Sequence, residues 1–506
     1  MKIPFKNSFL SWMMRKRIYQ IDFFRDNPNQ VQDKVFQYLI ENGKLTNFGA
    51  EHNFLEIDSY SDFTKNIPIR TYEQMFPYIE KTRKGERDVL WPGGEVKMFA
   101  KSSGTTNDRS KYIPITEESL KSCHFKGGKD MLSLYCNNFP STRMFNGKGL
   151  MLGGSKESNA NFQFTDGDLS ALLIDNFPFW VNMHRVPDLE TVLMKDWDKK
   201  LDKMCNQALN SNVTNITGVP SWMLVLFHRM VEKSGSKNIL EIWPNLELFM
   251  HGGVNFGPYI NQFERFIPSE KMNYLEGYNA SEGFFGIQDQ KDSKDLLLML
   301  DYGIFYEFIL LSEYNNGEMK AMPLADVKLN EVYVIVISTN GGLWRYIIGD
   351  TIRFTSLNPH RIKVVGRTKS FLNSVGEELI VENTEIAVEE CSLIHKCSIS
   401  DYIATSIFLE DGVAQHKWII EFETDPNSKK EFMKDVDKKL REINSDYDAK
   451  RSGGICLLPP EIIVAEKGQF AEWLRNNGRL GGQYKVPRLD NSSKIFTDIL
   501  KLKTTY

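Results

Sequence analysis

The hydrophobic period of this chain changes twice, and those changes limit the folds open to it more than any single motif does. As far as about residue 250, apolar residues recur at helical steps, as in "VPDLETVLMKDWDKKLDKMCNQAL", where Leu189, Val192, Leu193, Trp197 and Leu201 share one face. Such helices need a sheet to clothe. Short apolar runs then follow, "LELFMHGG", "FYEFILLSE", "VYVIVIST" and "RIKVVG", parted by turn signals such as "NNGE" and "TNGG". After about residue 367 the scale shrinks to strand-like "KWIIEFET", a helix over "SKKEFMKDVDKKLREINSDY" with Phe432, Val436, Leu440 and Ile443 on one side, and strand-like "EIIVAEKG". The junction, "GRTKSFLNSVGEE", is rich in Gly, Ser and charge, as a hinge or linker is. A chain of 506 residues exceeds one ordinary core. The pattern predicts an α/β protein with a large multi-sheet N-terminal domain over 1–366 and a smaller α+β C-terminal domain over 367–506.

Charge and composition exclude several functions. The net charge of −4 and a pI near 6.2 lack the basic excess that neutralises phosphates in a nucleic-acid complex. The opening "MKIPFKNSFLSWMMRKRIYQ" places Arg15, Lys16 and Arg17 after its apolar residues, the reverse of a secretory signal. No run reaches the ~20 apolar residues of a membrane helix, since "LLLMLDYGIFYEFILL" is broken by Asp301 and Glu307. A cytoplasmic protein without a nucleic-acid or membrane partner is expected. Six scattered cysteines read as free thiols, and "CSLIHKC", with Cys391, His395 and Cys397, lacks standard zinc spacing.

Four stretches carry groups suited to nucleotide chemistry. In "KSSGTTNDRSKYIP", Ser102, Ser103, Thr105 and Thr106 offer hydroxyls, Gly104 permits close backbone approach, and Arg109 and Lys111 supply charge. Alternating "EVKMFA" precedes this loop and "KYIPIT" follows it, so it joins two extended segments and is not a Walker loop. A polyphosphate cradle and a solvated hairpin turn both fit it. In "YLEGYNASEGFFG", Tyr278 suits stacking on a base and Glu282 a hard cation, while the same rings suit core packing. In "GGLWRYIIGDTIRF", Asp350 reads as a carboxylate at a sheet turn, fit for ribose hydroxyls or for ordinary turn chemistry. In "RLGGQYKVPRLDN", Lys485 lies between a glycine pair and Pro487, as solvated charge or as a group that reaches a phosphate.

In this order the four stretches resemble the adenylate-forming superfamily, and within it the Gretchen Hagen three (auxin-responsive) family of acyl-acid amido synthetases. "SSGTT…K" is similar to the family's phosphate loop, "YNASE" to its Tyr-x-x-Ser-Glu signature, and "PLADVKLNEVYVIVISTNGGLWRYIIGDTIRF" to its central block. "VVGRTKSFLNSVGEEL" and "QYKVPR" resemble its hinge and C-terminal lysine motifs; "GDLSALLIDNFPFW" and "FMHGGVNFGPY" resemble its bacterial type. The resemblance implies that ATP and Mg²⁺ bind this chain. It assigns Ser102, Ser103, Gly104, Thr105, Thr106 and Lys111 to the phosphates, Tyr278 and Ser281 to the nucleotide site, with Tyr278 on the adenine, and Asp350 to the ribose. Glu282 would hold Mg²⁺, Arg367 would sit at the hinge, and Lys485, on a mobile C-terminal lid, would stabilise the α-phosphate. Asp108 stands where related loops often have glycine, so it is expected to point away from the triphosphate, offset by Arg109 and Lys111.

The implied activity is adenylation of a small carboxylic acid followed by transfer of the acyl group to an amino acid amine. Trp180, Val219, Trp222 and Phe256 are candidates for lining the acyl pocket or for filling the core. An acyl-CoA ligase shares the first half-reaction. A silent nucleotide-binding scaffold would need neither Glu282 nor Lys485 in place. No nucleophile elbow with a Ser/His/Asp set supports a hydrolase.

Overall fold

The computed structural model describes residues 6–102, 111–154, 156–158, 164–253, 256–368, 371, 372, 374, 375, 377, 379–409, 414–451, 457–478 and 485–502. The chain forms two compact units, Met1–Gly253 with Ser269–Val364, and Val254–Pro268 with Val365–Tyr506. Among the described residues no helix is long and apolar enough to cross a membrane.

The first unit is built on a mixed sheet of twelve described strands. On one side Lys148–Met151, Val213–Gly218, Leu248–Gly252 and Asn273–Ala280 run parallel, joined by crossovers such as the helix Pro220–Ser234. From Asn273–Ala280 the pairing turns antiparallel through Gly283–Gln288, Leu296–Leu298 and His360–Arg367. Tyr346–Leu357, Val332–Thr339 and Ile304–Leu310 extend the sheet as a meander. Ile304–Leu310 and Val332–Thr339 read as mostly apolar runs because they are buried on both faces. A separate sheet carries the antiparallel pair Met98–Ser102 and Lys111–Ile115, in which Ser102 faces Lys111. The loop therefore joins two extended segments, as the alternation predicts.

The helical stretch 186–209 is not one helix. It divides into Leu189–Val192 and Trp197–Leu209, because the Asp196 side chain accepts the Lys199 N–H at 3.1 Å and starts a new helix there. Val192, Trp197 and Leu201 are buried as expected, whereas Leu189 is exposed.

The second unit has a three-stranded sheet in which Ala414–Thr424 pairs antiparallel with Ser398–Phe408 and parallel with Leu457–Val464. The helix Lys429–Ile443 buries Phe432, Val436 and Leu440 in a core that also holds Val388, Trp418 and Phe422. Ser428 caps it by accepting the Glu431 N–H at 3.2 Å. Val254–Pro268, distant in sequence, belongs here: Gln262 Nε2 donates to the Ile399 carbonyl at 3.5 Å and Arg265 Nη2 to Ser398 Oγ at 3.2 Å.

The junction contains more than solvated linker. Phe371–Leu372 pairs with Leu379–Ile380, and the Glu377 carboxylate is buried, accepting the N–H groups of Ser374 and Val375 at 3.0 and 2.8 Å and lying 3.0 Å from His416 Nε2. Burial alone would raise its pKa, but the bonds from His416, Val375 and Ser374 outweigh it and hold Glu377 at about 2. In "CSLIHKC" the cysteine side chains pack into the second unit. Cys391 and Cys397 are buried thiols, and His395 Nε2 meets Asp435 at 2.8 Å.

Candidate functional site

Asn273–Ala280 is the strand at which the large sheet passes from parallel to antiparallel pairing. Gly283 pairs with Ala280, so Ser281 and Glu282 form the two-residue turn of a tight hairpin. Ser281 is buried there and Glu282 half-buried. Gly252, on the neighbouring strand, has no alternative: a Cβ at that position would lie 2.2 Å from the Gly277 carbonyl oxygen. Two buried histidines flank the hairpin in neutral form. Burial lowers His124, beside the Asn279 side chain, to about 4, and lowers His251, opposite Glu276, to about 3.

Tyr278 and Asp350, 72 residues apart in sequence, are in direct contact: the Tyr278 hydroxyl donates to Asp350 Oδ2 at 2.6 Å. The Tyr278 ring packs against Phe285 at 4.9 Å. Asp350 does not sit at a turn, as its Gly-Asp pair suggested, but inside the continuous strand Tyr346–Leu357. Thr351 pairs with Val334 and Ile347 with Val336, so this strand takes four steps where its partner takes two. Gly349 absorbs that bulge with φ +94°, a left-handed conformation that favours glycine and re-aims the next side chain.

A buried ion pair fixes the start of that strand. Arg345 Nη2 and Nε donate to the Glu307 carboxylate at 2.8 and 3.0 Å, Arg345 Nη1 donates to the Ile67 carbonyl at 2.7 Å, and the Tyr60 hydroxyl donates to Glu307 at 2.8 Å. The Arg345 carbonyl accepts the Arg70 N–H at 2.9 Å, and Ile347 N–H donates back to the Arg70 carbonyl at 2.9 Å. Sequence reading missed this pair. Its signal was Glu307 itself, a lone acid inside the apolar run "FYEFILL", which a buried strand tolerates only with a partner.

The remaining candidates fall in several places. Lys111 is half-buried with Nζ 5.4 Å from the centre of the Tyr72 ring, while Ser103, Gly104, Thr105, Thr106, Asp108 and Arg109 lie outside the described residues, as does the Ser102 side chain. Trp222 stacks edge-on against Trp197 at 4.6 Å, with Val219 at the start of the same helix. Trp180 lies in the short helix Phe179–Asn182, its side chain outside the described set. Phe256 belongs to the second unit and packs on Phe263 at 5.1 Å.

Arg367 and Lys485 are also residues of the second unit, and both are exposed. Lys485 precedes an anchored segment. Val486 and Leu489 are buried, Leu489 bridges to Ala404, and the Ala404 N–H donates to the Arg488 carbonyl at 2.8 Å. The Arg488 guanidinium pairs with Asp401, donates to the Tyr259 hydroxyl at 3.2 Å and lies 4.5 Å over the Tyr402 ring. Those surroundings hold Arg488 firmly protonated: burial opposes its charge, but Asp401, Tyr259, Tyr402 and Glu385 together outweigh it.

Among the described residues no group of three or more His, Cys, Asp or Glu side chains could hold a metal by itself. A single half-buried carboxylate on a turn, Glu282, suits Mg²⁺, which binds through one or two carboxylates together with substrate phosphates.

A mixed sheet with its parallel-to-antiparallel switch at such a hairpin, followed by a small α+β unit, defines the adenylate-forming ligase fold. The structure is similar to 2-hydroxyisobutyryl-CoA ligase in the postadenylation state, with a TM-score of 0.59 at 10% identity over 93% of this chain and 90% of that one. It is more similar to AtGH3.15 acyl acid amido synthetase in complex with 2,4-DB, with a TM-score of 0.79 at 18% identity over 99% of this chain and 97% of that one.

The chain belongs to the GH3 family. The GH3 family N-terminal domain matches residues 17–272, the central domain 297–367 and the C-terminal domain 382–494. It is 22% identical to indole-3-acetic acid-amido synthetase GH3.4 of Arabidopsis thaliana, over 96% of this chain and 93% of that protein. Jasmonoyl–L-amino acid synthetase JAR4 of Nicotiana attenuata is 21% identical over 93% and 92% respectively.

Proposed function

We propose that this protein is an AMP-forming acyl-acid amido synthetase, which activates a small carboxylic acid with ATP and joins it to an amino acid. The observation that carries this reading is the Tyr278–Asp350 contact, which joins two separate family motifs at the switch of the sheet, in a chain matching the N-terminal, central and C-terminal GH3 domains. In the first step a substrate carboxylate oxygen attacks the α-phosphorus of ATP, and the bond to the pyrophosphate oxygen breaks. In the second an amine attacks the acyl carbonyl, loses a proton and expels AMP.

Asp350 would accept the ribose hydroxyls and Tyr278 pack against the adenine. Ser281 and the Ser102, Ser103, Gly104, Thr105, Thr106 and Lys111 set would hold the phosphates. Glu282 would hold Mg²⁺, which neutralises phosphate charge when bound. The working domains we propose are 1–366 for ATP and acid and 367–506 as a lid, with Arg367 at its hinge; Val254–Pro268 packs with the latter. Lys485 would neutralise charge growing on the α-phosphate, and preorganised charge of this kind is usually a large catalytic contribution. Trp222 and Val219 are the acyl-pocket candidates best supported by position, since both begin one helix beside Trp197. The bacterial-type reading rests on "GDLSALLIDNFPFW" and "FMHGGVNFGPY".

Acid-dependent ATP–pyrophosphate exchange over a panel of aromatic, aliphatic and hydroxylated acids tests the first step. Added amino acids or CoA then test the second. Amide with AMP release is the expected product. Thioester in place of amide would reassign the protein as an acyl-CoA ligase, and no exchange with ATP binding intact would leave a scaffold.

A further inference from the structure

We infer that the outer face of the two N-terminal helices is a docking surface for an anionic lipid membrane. The helices are Lys6–Arg15 and Ile18–Asp26, the first of which precedes the part of the chain that the family domains match. Their inner face is fixed to the first unit. Met14, Ile21 and Phe24 are buried, Asn7 Nδ2 donates to the Thr142 carbonyl at 2.6 Å, and Arg17 Nη2 donates to the Asp301 carboxylate at 2.7 Å.

The outer face is a stripe of Phe9, Trp12, Met13, Lys16, Tyr19 and Phe23, spaced three or four residues apart apart from one direct neighbour. Phe9 is 59% exposed, Trp12 50% and Tyr19 82%, and Phe9 and Trp12 pack ring to ring at 6.0 Å. Scattered exposed apolar residues are ordinary, but a contiguous run of large aromatics marks an interaction surface.

Charge selects the partner. Residues 1–26, which include both helices, hold six basic side chains, Lys2, Lys6, Arg15, Lys16, Arg17 and Arg25, against two acids, Asp22 and Asp26, in a chain whose net charge is −4. Arg17 is spent on Asp130 and Asp301, while Lys16 rests its Nζ 3.9 Å over the exposed Trp12 ring. The nearest acid in sequence, Asp22, is paired with Arg25 at 2.9 Å. Two copies joined through this stripe would set Lys16 against its own like charge. Exposed aromatic side chains flanked by lysines, Lys16 at Trp12 and Lys34 with its Nζ 5.7 Å over the Phe23 ring, suit in-plane binding to anionic lipid. The lack of a spanning helix does not bear on a helix that lies flat on the surface.

The test is co-sedimentation of the full-length protein with vesicles of phosphatidylcholine alone or with about 30% phosphatidylglycerol. Retention on the anionic vesicles should exceed that on neutral ones by about tenfold and be lost at about 0.5 M salt. The double variant Phe9→Ser/Trp12→Ser and, separately, Lys16→Glu should each reduce retention about fivefold or more, with pyrophosphate exchange in solution unchanged as the check on folding. Absence of retention on anionic vesicles overturns the inference, as does equal retention of the variants. So does a dimer in sedimentation equilibrium that Phe9→Ser/Trp12→Ser converts to monomer, which would assign the stripe to a second copy.

Discussion

The Tyr278–Asp350 pair and Lys485 are built in opposite ways. Tyr278 and Asp350 are strand residues, placed by sheet pairing, a bulge at Gly349 and a buried ion pair behind them. Lys485 is exposed, and the packing lies in the residues that follow it, where Arg488 ties the chain to Asp401 and Tyr259. A site that must recognise the same ligand at every turnover gains from a frame that cannot rearrange. On the proposed mechanism Lys485 supplies charge in the first step alone, a task suited to the border of an anchored segment.

The largest effect is expected where the frame itself is broken. Glu307→Ala strands the buried Arg345 guanidinium and should lower the stability of the first unit by about 3–5 kcal/mol, read by denaturant unfolding. A small loss would mean that the pair does not hold the strand carrying Asp350. Lys485→Ala should slow adenylation by about 10²–10³-fold in single turnover. Its nucleotide dissociation constant should stay within about threefold, a change worth well under 1 kcal/mol. Asp350→Asn should instead weaken ATP binding by about tenfold or more, the cost of one charged hydrogen bond, as measured by calorimetric titration.

The two units should also separate on acidification. Burial depresses His124, His251 and His360 of the first unit from 6.5 to about 4, 3 and 4. Between about pH 6.5 and 4 the unfolded chain thus binds protons that the folded unit refuses, and stability falls with pH through that window. Glu377 of the second unit is depressed from 4.5 to about 2, so its contribution is complete above 4.5 and is lost as the pH falls toward 2. Hydrogen exchange resolved by peptide should show the first unit weakening before the second between about pH 7 and 5. Simultaneous weakening would contradict the assignment of neutral buried histidines. The smallest effect is expected from Tyr278→Phe, which removes one hydrogen bond and keeps the ring; ATP affinity should drop by about threefold to tenfold.

Much of this was legible in the sequence, for physical reasons that also mark the limits. Ile304–Leu310 and Val332–Thr339 were visible because strands buried on both faces need largely apolar runs. Lys429–Ile443 was visible from its helical spacing behind Ser428. The strand Val213–Gly218 was not, because it is short and carries Thr214, Asn215 and Thr217 among its apolar residues. The place of Val254–Pro268 in the second unit depends on partners such as Ser398, more than a hundred residues away, which no local pattern records. At the site, residue types announced Tyr278, Glu282 and Asp350 as candidates. The bulge that aims Asp350 was hidden, since Gly-Asp serves a turn and a bulge equally well and only pairing with Val334 and Val336 distinguishes them.

The most direct test of the division between frame and delivered charge is a crossed measurement. Nucleotide affinity, by titration with a non-hydrolysable ATP analogue, and the rate of acyl-adenylate formation at saturating ATP are determined side by side for Asp350→Asn and Lys485→Ala. The account expects the affinity loss to fall on Asp350→Asn and the rate loss on Lys485→Ala, each with little of the other. A Lys485→Ala protein that binds the analogue poorly but forms adenylate at the normal rate would contradict it, as would an Asp350→Asn protein that binds normally.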